Sequence, residues 1–150
     1  MTHLIAVIGA GLMGSGIAQL LAAKGQSVVI YEPFDEVRKA TPARIHEICD
    51  IVGDDTACVD EITFCSDLEA ALDGVDFVIE AVPEKPDLKQ ALFAELAQFT
   101  TDDTILCTNS SVIPVTKVAA QLSDQAAGRT VGTHFWNPPY LIPLVEVIEG

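Results

Sequence analysis

The sequence predicts an α/β fold, a doubly wound and mainly parallel sheet with helices on both faces. Short runs rich in Val, Ile and Leu alternate with helical stretches along the chain. The runs are near-continuously apolar, as strands buried on both faces are. No linker, repeat or low-complexity tract interrupts them, and 150 residues suit one domain that buries roughly 70% of its unfolded surface.

The elements follow from local signals in order. Leu4 to Ile8 is a five-residue apolar strand stopped by glycine, and a helix is expected from about Gly14 to Lys24. A second strand, Ser27 to Tyr31, precedes helical text from about Asp35 to Asp50, with a break expected at Thr41-Pro42 because proline lacks an N–H and Thr41 can cap a new turn. A strand at Ile62 to Cys65, a helix from Asp67 to Leu72 ended by Gly74, and a buried strand at Phe77 to Val82 come next. Pro86 marks the start of a helix over about Asp87 to Phe99. Ile105 to Thr108, a helix over Val115 to Leu122, and strands at Thr130 to His134 and Leu144 to Ile148 complete the order.

Composition narrows the function classes. With 49% hydrophobic residues and a mean hydropathy of +0.36 the chain packs a core, and a net charge of −14 repels nucleic acid and anionic membranes. Carboxylates are unevenly placed: none precedes Glu32, and Ile45 to Glu84 carries twelve without one Lys or Arg. Cys49, Cys58, Cys65 and Cys107 form no C-x-x-C pair, so reduced and mostly buried thiols in a cytoplasmic protein are expected, and no metal site is. Leu4 to Ala23 is uncharged for twenty residues, yet its glycines split it into a strand and a helix of about 16 Å, too short for a membrane core of about 30 Å.

Two regions carry chemistry. After the first strand stands Gly9-Ala10-Gly11-Leu12-Met13-Gly14, with the spacing of a dinucleotide-binding turn. Glycines there allow the tight turn, the approach of a pyrophosphate and close helix packing, and the helix N-terminus faces the anion. Glu32 ends the second strand 18 residues after Gly14, where a carboxylate accepts from ribose hydroxyls and repels the extra phosphate of NADP. Pro33 to Glu36 offers no arginine, so NAD is the expected cofactor. Near the other end, Thr108-Asn109-Ser110-Ser111 and His134 follow apolar strands, at the carboxyl ends where open α/β sheets bind ligands. In Leu144-Val145-Glu146-Val147-Ile148 both faces read as buried, so Glu146 is expected to need a partner, and His134 is the candidate. A histidine held by a carboxylate is a general acid/base; a structural ion pair is the alternative. His3 and His46 read as solvated or packing residues.

The run Val7 to Ala18, the segment Val78-Ile79-Glu80-Ala81-Val82-Pro83-Glu84 with Lys89, Asn109-Ser110-Ser111, and His134-Phe135-Trp136-Asn137-Pro138 leading to Leu144-Val145-Glu146-Val147 together resemble the NAD-binding domain of L-3-hydroxyacyl-CoA dehydrogenases, over essentially the whole chain. The resemblance implies a Rossmann domain at residues 1–150, followed in the family by a helical domain that carries the dimer contact and part of the substrate site. It implies that His134 takes the proton of the 3-hydroxyl, that Glu146 holds the imidazole, and that Ser111 bonds the substrate oxygen, with Ser110 as the alternative serine. Asn137 is then expected against substrate and nicotinamide, and Glu84 and Lys89 near the nicotinamide ribose, alongside Gly9, Ala10, Gly11, Leu12, Met13, Gly14 and Glu32 as cofactor residues.

Two departures from the family pattern shape the expectation. The chain stops at Gly150, before the helical domain, so NAD binding with little turnover is expected, and a homodimer only where that domain is present. The all-acidic stretch replaces a basic helix suited to CoA phosphates. Asn137 to Glu146 is closer to relatives acting on free hydroxy acids, such as carnitine and gulonate dehydrogenases and diketoreductase. The expected partner is thus a small molecule, a 3-hydroxyacyl-CoA or a small 3-hydroxy acid. A non-catalytic NAD-binding or crystallin-like structural role is the competing class. The hydroxyisobutyrate type, with a lysine base, does not match Glu32 and His134.

Overall fold

A computed structural model describes residues 2–150. The chain runs β1 (Leu4–Ile8), α1 (Leu12–Ala23), β2 (Ser27–Tyr31), α2 (Asp35–Val52), α3 (Ala57–Asp60), β3 (Ile62–Cys65), α4 (Leu68–Ala71), β4 (Phe77–Glu80), α5 (Pro86–Phe99), β5 (Ile105–Thr108), α6 (Val115–Val118), α7 (Asp124–Ala127), β6 (Thr130–Phe135) and β7 (Val145–Glu149). The strands form one sheet in the order β3-β2-β1-β4-β5-β6-β7, parallel except for β7, which pairs antiparallel with β6. The order reverses between β1 and β4, which places a crevice at their carboxyl ends.

The apolar runs read from sequence are strands covered twice. Along β1, Ile5 and Val7 join a core with Ile17, Val28, Ile30 and Ile45, while Ala6 and Ile8 join another with Val78, Phe93, Leu96 and Leu106. Alternation therefore sends successive side chains into two cores, which is why the text is apolar at every position. In α5, Phe93 and Leu96 lie one turn apart and are fully buried, each burial stabilising by roughly 1.5–3 kcal/mol.

Several boundaries differ from expectation for identifiable reasons. The helix α2 runs through Pro42 without the expected break. The buried Thr41 hydroxyl donates to the Val37 carbonyl at 2.7 Å, and Ile45, Ile48 and Cys49 pack one face of the helix, which outweighs one missing backbone bond. β4 stops at Glu80 rather than Val82, because the Val82 N–H is taken by the Glu80 carboxylate at 2.7 Å. α1 starts two residues earlier than expected, immediately after Gly11. α6 is a single turn, and the short helices α3 and α7 were not legible as periodic text. Among the described residues no helix is long and apolar enough to cross a membrane.

The largest correction concerns β7. Both of its faces were expected to be buried, yet all five residues are exposed, Val147 at 76%. β7 is the edge strand of the sheet, so the apolar alternation does not report burial. Glu146 is half exposed, and desolvation does not compel its pairing.

Candidate active site

The turn between β1 and α1 is shaped by contacts. Gly9 adopts φ +98°, a region that favours glycine, and its N–H donates to the Tyr31 carbonyl at 2.9 Å. A Cβ on Gly14 would stand 1.8 Å from the Gly9 carbonyl oxygen, so no larger residue fits there with the backbone in place. A Cβ on Gly11, in contrast, would meet nothing within 4 Å. That open side belongs to a groove of about 850 Å³ lined by the turn, the end of β2, Ala81, Val82 and α5.

Glu32 is buried at the end of β2, and its two oxygens accept from the Ala10 and Phe34 N–H groups, each at 3.0 Å. The carboxylate thus braces the glycine turn against β2, and its remaining lone pairs can still accept from ribose hydroxyls. The groove, its open glycine side and this carboxylate suit an adenosine diphosphate moiety. Two arginines escaped the sequence reading. Arg44 of α2 donates to the Ala10 carbonyl at 2.7 Å and to Ser15 Oγ at 3.3 Å, so a cation does stand behind the turn. Arg38 lies beside Glu32, donating to its carbonyl at 3.0 Å, but is also paired with Asp35. Both lie on α2, and no spacing rule connects Arg44 to a partner 34 residues away.

Downstream, the carboxyl ends of β4, β5 and β6 bring together Glu84, Ser110, Ser111 and His134. His134 and Glu146 are direct partners in the β6–β7 register, so their side chains share one face of the ladder. His134 Nδ1 lies 2.6 Å from Glu146 Oε2, and Trp136 Nε1 donates to the same oxygen at 3.3 Å. These bonds, the one with His134 first, hold the Glu146 carboxyl below its ordinary range. With Nδ1–H given to the carboxylate, Nε2 of a neutral imidazole is an acceptor, and Ser111 Oγ stands 3.0 Å from it.

The adjacent serine does something else. Ser110 is buried, its hydroxyl donates to Glu84 Oε1, and it accepts from the Ile113 N–H at 3.0 Å. Ser110→Ala is therefore expected to cost about 1–2 kcal/mol, a fall of about 2–8 °C in Tm for a domain of this size. Ser111→Ala should stay within about 0.5 kcal/mol of the parent. Thermal unfolding of the two variants checks the division of labour.

Glu84 Oε1 also accepts from the Ser111 and Val112 N–H groups at 3.0 and 3.1 Å. Burial opposes its ionisation, but the bonds from Ser110, Lys89 and Val112 prevail and bring its pKa down to about 2. A folded pKa below the unfolded one means a contribution that is complete above the ordinary carboxylate range and is lost as pH falls through about 2. Amide exchange of Ser111 and Val112 should accordingly stay slow at pH 4 and lose its protection only in stronger acid.

Lys89, expected at the cofactor, is 1% exposed. Its ammonium is 2.9 Å from Glu84 Oε2 and from both oxygens of Glu80, so its three protons face carboxylate oxygens. Asn137 is exposed on the turn from β6 to β7, which packs Pro139 and Tyr140 against Gly16 of α1. The sequence reading also missed Asn109 as a brace, whose Oδ1 accepts from the Phe135 N–H at 2.8 Å and ties the end of β5 to the end of β6.

Comparison with known proteins adds to this geometry. The sequence pattern of the 3-hydroxyacyl-CoA dehydrogenase NAD binding domain matches residues 4–150. The chain is 38% identical to 3-hydroxyadipyl-CoA dehydrogenase of Escherichia coli, over 97% of this chain and 32% of that protein. It is equally, 38%, identical to 5-formyl-3-hydroxy-2-methylpyridine 4-carboxylate 5-dehydrogenase of Mesorhizobium japonicum, over 97% of this chain and 48% of that protein. The crystal structure of (S)-3-hydroxybutyryl-CoA dehydrogenase from Ralstonia eutropha matches with a TM-score of 0.90 at 31% identity, covering 100% of this chain and 55% of that one. The chain thus spans about a third to a half of these proteins.

Proposed function

The chain belongs to the 3-hydroxyacyl-CoA dehydrogenase family, as its NAD-binding domain, and from that premise we propose that it serves the oxidation of a 3-hydroxyacyl group to the 3-keto compound, with His134 as the general base. The reading rests on one observation: His134 stands between Glu146 and Ser111 at the carboxyl end of β6, on the same end of the sheet as the crevice at β1 and β4. NAD, held by the glycine turn and Glu32, supplies the acceptor for the hydride that leaves C3.

The chain's own residues handle the proton. His134 Nε2 takes it from the 3-hydroxyl as the carbonyl forms, and Ser111 Oγ donates a hydrogen bond to the same substrate oxygen. Glu146 fixes the imidazole through Nδ1 and stabilises the charge it gains. In the reverse direction His134 returns the proton to the oxygen. Asn137, exposed on the neighbouring turn, is placed to touch substrate, and Glu84 keeps an oxygen able to accept from a ribose hydroxyl. Residues 1–150 are the cofactor half of this machinery, and a helical domain supplies substrate positioning and the dimer contact.

Relatives named for a CoA thioester and for a free carboxylate are equally similar, so identity does not select the substrate. The run of twelve carboxylates without a basic residue from Ile45 to Glu84 favours a small hydroxy acid over the polyphosphate handle of CoA. The test is NADH consumption by a two-domain form offered acetoacetate and acetoacetyl-CoA. Turnover of a 3-keto compound is expected, with the free acid preferred; turnover of neither contradicts the reading, and preference for the thioester overturns the charge argument.

A further inference from the structure

Glu80 ends β4 with no exposed surface, in a strand that is otherwise apolar. Its oxygens accept from the Val82 N–H and the Thr108 hydroxyl, each at 2.7 Å, and from Lys89. Every proton of the Lys89 ammonium has a carboxylate oxygen at 2.9 Å, two on Glu80 and one on Glu84. A buried ion pair adds little net stability over apolar residues of the same volume. Its effect is to fix where charges lie, and among the described residues the carboxylate it touches beyond Glu80 is that of Glu84.

Glu84 in turn gathers the donors of the turn after β5: the Ser110 hydroxyl and the N–H groups of Ser111 and Val112 all reach its Oε1. The same turn carries Ser111 Oγ to within 3.0 Å of His134 Nε2. We propose that the buried Glu80–Lys89 pair is a positioning device which, by clamping Glu84, holds the 110–112 turn so that Ser111 meets His134. It rests on the reading of His134 as the base. The pair acts on this turn through Glu84, with Thr108 anchoring it to β5.

Removing Lys89 alone leaves Glu80 buried and uncompensated, so the test uses Glu80→Gln with Lys89→Met, which deletes both charges at nearly constant volume. In the 150-residue chain, amide exchange of Ser111 and Val112 is expected to quicken at least tenfold, while Val7 and Val78 in the sheet centre keep their rates. The imidazole ¹⁵N signals of His134 are expected to move with it. A folded double variant with unchanged exchange and imidazole signals overturns the proposal, as does uniform acceleration across the sheet. Should the double variant fail to fold, Glu84→Gln cuts the same link on a partly exposed side chain, and unchanged signals at Ser111 and His134 there overturn it equally. None of these readouts requires turnover, so a failure of His134 as the catalytic base would be seen separately, in activity alone.

Discussion

Gly14→Ala is expected to weaken NADH binding at least tenfold and to lower stability, whereas Gly11→Ala should weaken binding and leave stability nearly unchanged. The difference comes from what each new Cβ meets. At Gly14 it would lie 1.8 Å from the Gly9 carbonyl oxygen, backbone against backbone, so α1 must retreat from the end of β1. Overpacking of this kind costs about 3 kcal/mol, or about 6–12 °C in Tm for a domain of this size. The N–H groups of the first helical turn retreat with it, and the anion site at the helix N-terminus is lost. At Gly11 the Cβ meets only open space, and a φ of −68° is ordinary for alanine. The fold should tolerate it while the approach of a pyrophosphate is blocked. Trp136, the single tryptophan and a neighbour of His134, provides the fluorescence signal for NADH titration, and thermal melts give stability. Equal behaviour of the two variants would remove the distinction between a packing glycine and a binding glycine.

His134→Ala in a two-domain form should lower turnover by about a hundredfold or more, the usual contribution of a positioned general acid/base. NADH affinity should change little, because His134 does not line the groove beside the glycine turn. Stability should also change little, since the pair with Glu146 is solvated and an ion pair open to water adds little to stability. The three readings separate the roles: a base loses rate alone, a structural pair loses stability, and a cofactor ligand loses affinity. Turnover unchanged in a well-folded variant would show that His134 is not the base.

How much of this was legible depended on what kind of contact each residue makes. β1, β2, β3 and β5 have the expected bounds because each is an apolar run stopped by residues that cannot continue it, as Gly9 stops β1. The glycine turn and Glu32 could be placed for the same reason, since their spacing is set by one strand, one turn and one helix. Pro42 misled because the proline signal is local, while the packing of Ile45, Ile48 and Cys49 that holds α2 together is not. The clearest exchange is between two glutamates. An apolar strand predicts a buried carboxylate at Glu146, where the strand proves to be a sheet edge; the same reasoning holds at Glu80, which is wholly buried and partnered by Lys89. Sequence alternation does not reveal which strand ends a sheet, and that topological fact decides both cases. Arg44 and Asn109 were missed because their partners lie 34 and 26 residues away, with no spacing rule to connect them.

The most direct test of the proposed chemistry is the pH dependence of kcat/KM for oxidation of the 3-hydroxy substrate, measured on a two-domain form and on its His134→Ala variant. A base must be unprotonated to accept the hydroxyl proton, so the parent rate should fall as pH drops through a single ionisation. The account predicts that this ionisation disappears from the residual activity of the variant. The same ionisation persisting in His134→Ala would show that another group takes the proton, and would contradict the assignment of His134 as the base.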